Sequence, residues 1–217
     1  MLIEFRVKNF RSIKEQQLLT MVATKDDQLL DNMATVGKLR LLHSAAIYGA
    51  NASGKSNVIK ALKVVEQLVR KSTRNNMVDR INVTPFLLDE ETSRQPSEFE
   101  LYFFHNGIRY QYGFTVDAER IYQEWLFAYP KGSPQSWFVR TEHEGEKNKS
   151  DWEFGRNLQG QKQTIADLTS HNTLFLSRAA QLNHPQLQEV YEWFVRHLHI
   201  IDDEYSLHGL ESMVTNQ

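Results

Sequence analysis

The chain has 217 residues, with 25 Lys and Arg against 27 Asp and Glu and a formal net charge of -2. That length holds one large or two small domains with a buried core, and the near-neutral balance supplies no global basic field for nucleic acid. Cysteine is absent, which excludes disulfides and thiolate metal sites and fits a reducing cytosol. No apolar run approaches the roughly eighteen residues of a membrane span, and Met1-Leu2-Ile3-Glu4-Phe5-Arg6 lacks a signal-peptide core, so a soluble, cytoplasmic protein is expected.

Residues Leu2 to Val7 alternate apolar and polar, the period of a strand. Lys8-Asn9-Phe10-Arg11-Ser12 interrupts the alternation, and Leu18-Leu19-Thr20-Met21-Val22 suggests a second strand. Two strands joined by a polar corner predict an antiparallel pair near a sheet edge, with Arg11 and Ser12 in an exposed turn. Asp26 to Lys38 is polar with one glycine and reads as a loop or ragged helix. Leu39 to Leu42 and Ser44 to Tyr48 then lead into a glycine-bounded loop, the short apolar run before it reading as the strand of a strand–loop–helix context.

That loop is Gly49-Ala50-Asn51-Ala52-Ser53-Gly54-Lys55-Ser56-Asn57. Gly49, Gly54, Lys55 and Ser56 satisfy G-x-x-x-x-G-K-[ST], the phosphate-loop pattern. A polyphosphate needs several backbone N–H groups converging on it, and glycine permits the close approach and unusual dihedrals this requires. The helix starting near Gly54 adds its positive dipole end and unpaired amides. Lys55 is placed to reach β- and γ-phosphates, and the Ser56 hydroxyl to ligand Mg²⁺. A nucleoside triphosphate, with ATP and Mg²⁺ as the cofactors, is the expected ligand.

After the loop, Val58, Leu62, Val65 and Val69 recur at i, i+4, i+7 and i+11 beside Ala61 and Leu68. The spacing predicts a helix of about four to five turns with a wide core-facing stripe. It ends near the basic cluster Arg70 to Asn76, which reads as a solvated helix end favoured by the dipole, with nucleic-acid contact as the alternative. From Pro85 to Trp152 the period changes to two. Phe99 to Phe104 and Ile108 to Phe114 flank His105-Asn106-Gly107, a strong hairpin signal. Arg120 to Tyr129 and Trp137 to Thr141 read as further strands. Their aromatics suit the core of a half-buried sheet, a base-stacking platform being the alternative. Beyond residue 160 the helical period returns. Ser170-His171-Asn172-Thr173 is a plausible break and new N-cap; Leu187, Val190, Tyr191, Phe194, Val195 and Leu198 form an amphipathic stripe.

Together, Val7-Lys8-Asn9-Phe10-Arg11-Ser12 and, some forty residues on, Gly49 to Asn57 resemble the ABC-type, SMC-like and RecF-like P-loop ATPases. The likeness is greatest to the bacterial AAA ATPase subfamily fifteen, which includes OLD-like and abortive-infection ATPases; Asn51 and Ala52 are typical of that branch. The resemblance covers most of the chain. It implies an α/β fold: an ABC-type P-loop nucleotide-binding lobe with an antiparallel β-subdomain and C-terminal helices. The division expected is an ATP-binding lobe over 1–160 and a helical segment over 161–217 leading to a second lobe, the sequence being the N-terminal portion of a longer protein.

The resemblance further implies ATP sandwiched between two subunits, hence a nucleotide-driven homodimer, with a role in bacterial antiphage defence or DNA maintenance and an effector nuclease or toxin as partner. It places Arg11 and Ser12 near the nucleotide beside Gly49, Ala50, Asn51, Ala52, Ser53, Gly54, Lys55, Ser56 and Asn57. It also makes Gln181, in Leu176-Ser177-Arg178-Ala179-Ala180-Gln181, the candidate second metal-site residue beside Ser56. ATPases of this class carry an apolar strand ending in Asp-Glu, where the glutamate polarises the attacking water. The one lookalike, Leu198-His199-Ile200-Ile201-Asp202-Asp203-Glu204, continues an amphipathic helix and carries His199 where a buried apolar residue belongs. Glu204 is therefore disfavoured as the catalytic glutamate, and His197, His199, Asp202 and Asp203 read as a polar helix end rather than metal ligands. No signature loop is visible. A non-hydrolysing, nucleotide-dependent scaffold is the alternative function.

Overall fold

A computed structural model describes residues 1–25, 30–51, 53–74, 76, 78–143 and 149–201. The alternation at the N-terminus becomes β1 (Leu2–Lys8), with Ile3, Phe5 and Val7 buried and the residues between them turned away. It pairs antiparallel with the short edge strand β2 (Gln17–Thr20) and, on its other side, with β5 (Ser97–His105). Between these come β3 (Met33–Val36) and β4 (Leu39–Leu42), a separate two-stranded hairpin.

The hairpin corrects the expected loop or ragged helix over 30–38; the rest of that stretch, 26–29, lies outside the described residues. Residues 30–32 form one 3-10 turn, and Met33–Val36 pairs with Leu39–Leu42 across Gly37-Lys38. Four-residue strands are too short for their alternation to stand out, and it is the pairing that stabilises them. The apolar run Ser44 to Tyr48, expected to enter the phosphate loop as a strand, forms none. Residues 43–50 are exposed throughout, Ile47 at 41% and Tyr48 at 90%. A strand exists only through a neighbour's hydrogen bonds, and among the described residues no segment pairs with this one.

The main sheet has seven strands in the order β2-β1-β5-β6-β7-β8-β9, with β6 (Ile108–Val116), β7 (Ile121–Tyr129), β8 (Gln135–Glu142) and β9 (Ser150–Phe154) following as antiparallel neighbours. Asn106 and Gly107, at φ 47° and 79°, turn β5 into β6, the left-handed pair a two-residue hairpin loop needs. The aromatics of this region line the core: Phe99, Phe103, Tyr112 and Phe114 are buried on one face.

Among the described residues four helices cover that face. In α1 (Lys55–Lys71) the stripe Ala61, Leu62, Val65, Leu68 and Val69 is buried, as its period predicts. The helices α2 (Lys162–Asp167), α3 (Phe175–Gln181) and α4 (Pro185–Arg196) follow the sheet in sequence. On α4, Trp193 stacks on Phe103 at a centroid separation of 4.0 Å, and Phe194 meets Phe103 and Tyr112 edge-on. Residues of the sheet, α1, α2, α3 and α4 thus belong to one continuous core.

The segment Ser170–Thr173 does separate two helices, but α3 has no side-chain N-cap of its own. Its cap comes from β7: the buried Glu124 carboxylate accepts from the amides of Phe175 (2.6 Å) and Leu176 (3.0 Å) and from the Tyr112 hydroxyl. Burial pushes the Glu124 carboxyl up, and the cross-strand neighbour Arg140 opposes that shift. Arg140, equally buried, donates to the carbonyls of Thr173 and Ser170. Among the described residues no helix is long and apolar enough to cross a membrane.

Candidate functional site

The site forms where the chain leaves the exposed segment 43–50 and enters α1. Gly54 precedes the helix at φ 90°, a left-handed conformation that favours glycine. No side chain caps the helix and its first turn carries no acidic residue. The first amides of an α-helix lack intrahelical partners, so this end presents donors and positive potential with no carboxylate in the helix's own first turn to neutralise them. The Lys55 ammonium folds back over the loop and donates to the carbonyls of Gly49 and Ala50, both at 2.7 Å. Ser56 is exposed in the first turn, Asn51 and Ser53 are exposed in the loop, and Ala52 lies outside the described residues.

The corner that follows β1 meets this junction from the other side. Asn57, in the first turn of α1, donates through Nδ2 to Ser12 Oγ at 2.7 Å. A Cβ on Gly54 would lie 2.7 Å from the same hydroxyl, so a side chain there would have to turn the Ser12 hydroxyl aside, while φ is what favours glycine. Arg11 adjoins Ser12 with its side chain exposed and its guanidinium carbon 5.6 Å from the Phe10 ring centroid. The structure therefore brings Ser12, Gly54, Lys55, Ser56 and Asn57 together and holds Arg11 beside them. Nothing in the sequence pattern singled out Asn9, which anchors this corner. The signal available was an asparagine at a strand end, the non-glycine residue type most tolerant of left-handed backbone.

Gln181 is placed elsewhere. On α3 its amide oxygen accepts from Arg178 at 2.7 Å. One turn earlier the Ser177 hydroxyl donates to the carbonyl of Val69, roughly 20 Å along α1 from Ser56 at 1.5 Å per residue. The fold thus does not bring Gln181 to Ser56, because α3 is anchored at the far end of α1. Asp202, Asp203 and Glu204 lie outside the described residues. Among the described residues no three His, Asp or Glu side chains gather as a metal site; His197 packs its ring 5.2 Å from that of His105, and His199 is exposed.

Chemically, the junction offers main-chain N–H donors, an ammonium and a hydroxyl from the loop and α1, with the guanidinium of Arg11 one residue from Ser12 in the corner after β1. That donor set fits a polyphosphate with an oxygen-liganded divalent cation. A family model described as "AAA domain, putative AbiEii toxin, Type IV TA system" matches residues 44–210, from just ahead of the loop through α4. No curated protein matches the chain.

Proposed function

Since the chain belongs to that AAA-domain family, a family of nucleotide-binding, ATPase-type domains, we propose that it binds ATP with Mg²⁺ at the junction of loop 49–54 and α1. The observation that carries this reading is the uncapped, acid-free N-terminus of α1 with Lys55 turned over the loop. The residues that hold the phosphates are Gly49, Ala50, Asn51, Ala52, Ser53, Gly54, Lys55, Ser56 and Asn57, with Lys55 the cation for the β- and γ-phosphates. Ser56 is the residue for the metal, and Arg11 and Ser12 approach from the corner after β1. Mg²⁺ bound there supplies neutralisation of charge on the transferring phosphoryl group.

In the finer reading the protein is an ABC-type ATPase of the subfamily-fifteen kind. ATP drives head-to-head pairing of two copies and controls an effector in antiphage defence or DNA maintenance. The exposed apolar segment 44–48 supports pairing of two copies, since Ile47 and Tyr48 would gain burial from a partner surface.

Calorimetric titration with MgATP tests the core of the proposal. Lys55→Ala should weaken binding at least about tenfold, the scale of losing a hydrogen bond to a charged group, while thermal unfolding stays where it is. Equal affinity in the two proteins would reject the site.

A further inference from the structure

Asn9 sits at the end of β1 with φ 52°, and Arg11, two residues on, has φ 51°. Two left-handed non-glycine residues so close together are an unfavourable conformation that surrounding bonds must impose. Asn9 supplies those bonds. It is 1% exposed, and its Nδ2 donates to three main-chain carbonyls, Gln95 at 2.8 Å, Thr92 at 2.9 Å and Pro96 at 3.2 Å. Its Oδ1 accepts from the Phe86 amide at 2.9 Å. The Asn9 carbonyl in turn accepts from the buried Ser97 hydroxyl at the start of β5. One side chain therefore ties three separate stretches of chain to the corner.

The corner itself is closed by main-chain bonds. Phe10 and Ile13 exchange N–H···O bonds at 2.8 Å, Asn9 donates to Lys14, and the Arg11 amide donates to the carbonyl of Thr84 at 2.9 Å. Beyond this scaffold, Arg11 is positioned by its backbone: its guanidinium has ring contact with Phe10 and points to solvent. Ser12 abuts Gly54 and Asn57 at the start of α1. A shift in the corner is thus felt at once at the loop–helix junction.

We propose that Asn9 is a positioning residue of the nucleotide site, acting through Arg11 and Ser12: its buried amide holds the left-handed corner that presents both side chains to the phosphate-binding junction. The inference rests on the proposed ATP site, to which Asn9 itself offers no atom. Its amide groups are consumed by the carbonyls of 92, 95 and 96 and by the Phe86 amide, so a direct contact with ligand is excluded. Loss of a corner-held guanidinium from a phosphate costs on the order of ten- to a hundredfold in affinity.

The test is a double-mutant cycle read by MgATP titration of the full chain, with Lys55→Ala as the control. Arg11→Ala and Asn9→Ala should each weaken binding about tenfold, and the double variant should be no weaker than Asn9→Ala alone. A purely structural lesion gives independent, multiplying losses instead, and that result overturns the proposal. So does wild-type affinity in a folded Asn9→Ala protein. If Asn9→Ala fails to fold, Ser97→Ala replaces it in the cycle. Removing that hydroxyl loosens only the Asn9 carbonyl, with an expected loss of about threefold that shrinks in the Arg11→Ala background, where Ser12 alone is left to transmit it; an undiminished loss there overturns the proposal. If Lys55→Ala binds as wild type does, or wild type does not bind, the ATP site falls and the role of Asn9 with it. If Lys55→Ala loses binding and the Asn9 cycle is additive, only the role of Asn9 falls.

Discussion

The two ends of α1 are built to opposite specifications. At its C-terminal end the chain satisfies itself. Ser177 donates to the Val69 carbonyl, Thr173 Oγ1 donates to the Ser72 carbonyl, and Ser72 Oγ accepts from the Leu174 amide, all in buried surroundings. At its N-terminal end no side chain caps the helix, Gly54 is left-handed, and the preceding segment 43–50 is exposed. One end is closed by α3 and the segment just ahead of it, and the other is the junction at which ATP binding is proposed. Stability and binding capacity are thereby separated along a single helix, and substitutions at the two ends should separate them in experiment.

The largest effect belongs to the core between the sheet and α4. Phe194 is fully buried among Phe103, Tyr112 and Trp193, and Phe194→Ala should cost about 3–5 kcal/mol in urea unfolding. MgATP affinity, measured below the transition, should hold; a fall in affinity at full folding would break the separation. Ser177→Ala is the sharper and smaller version. It leaves the Val69 carbonyl buried without its donor and should cost about 1 kcal/mol, again with no change in binding. Lys55→Ala is the converse, with binding lost and the unfolding midpoint unmoved.

The smallest effect is a pH dependence confined to the stabilising layer. His184, buried at the start of α4, accepts the Leu187 amide on Nδ1, and burial holds its pKa below 6.5; His105 and His171 are lowered for the same leading reason. A histidine with a depressed folded-state pKa binds fewer protons folded than unfolded. The stability is complete above 6.5 and is lost as pH falls through that value. The melting temperature should therefore drop between about pH 7.5 and about pH 5.5. His184→Asn, which keeps a helix-capping acceptor without an imidazole, should flatten that slope; an unchanged slope would remove His184 as a contributor.

Much of the scaffold was legible because it depends on near neighbours in the chain. The stripe of α1, the Asn106-Gly107 hairpin and the alternation of β1 each follow from a period or a turn chemistry that a few consecutive residues carry. The pattern Gly49 to Ser56 likewise specified the loop–helix junction. Segment 44–48 was misread because apolar character marks a strand only where a neighbour exists to pair with it.

By itself, then, the sequence determined the stripe of α1, the alternation of β1, the hairpin between β5 and β6, and that a glycine-bounded loop opens a helix. Tertiary structure alone decided what those elements meet. It set Ser12 against Gly54 and Asn57, buried Asn9 under the carbonyls of Thr92, Gln95 and Pro96, and gave α3 its cap from Glu124, a residue of β7. It also carried Gln181 to the far end of α1. The physical reason is range: periodicity and turn preferences act over a few residues, whereas a buried amide or carboxylate is satisfied by whichever backbone the fold brings to it, here across some fifty to ninety positions of chain.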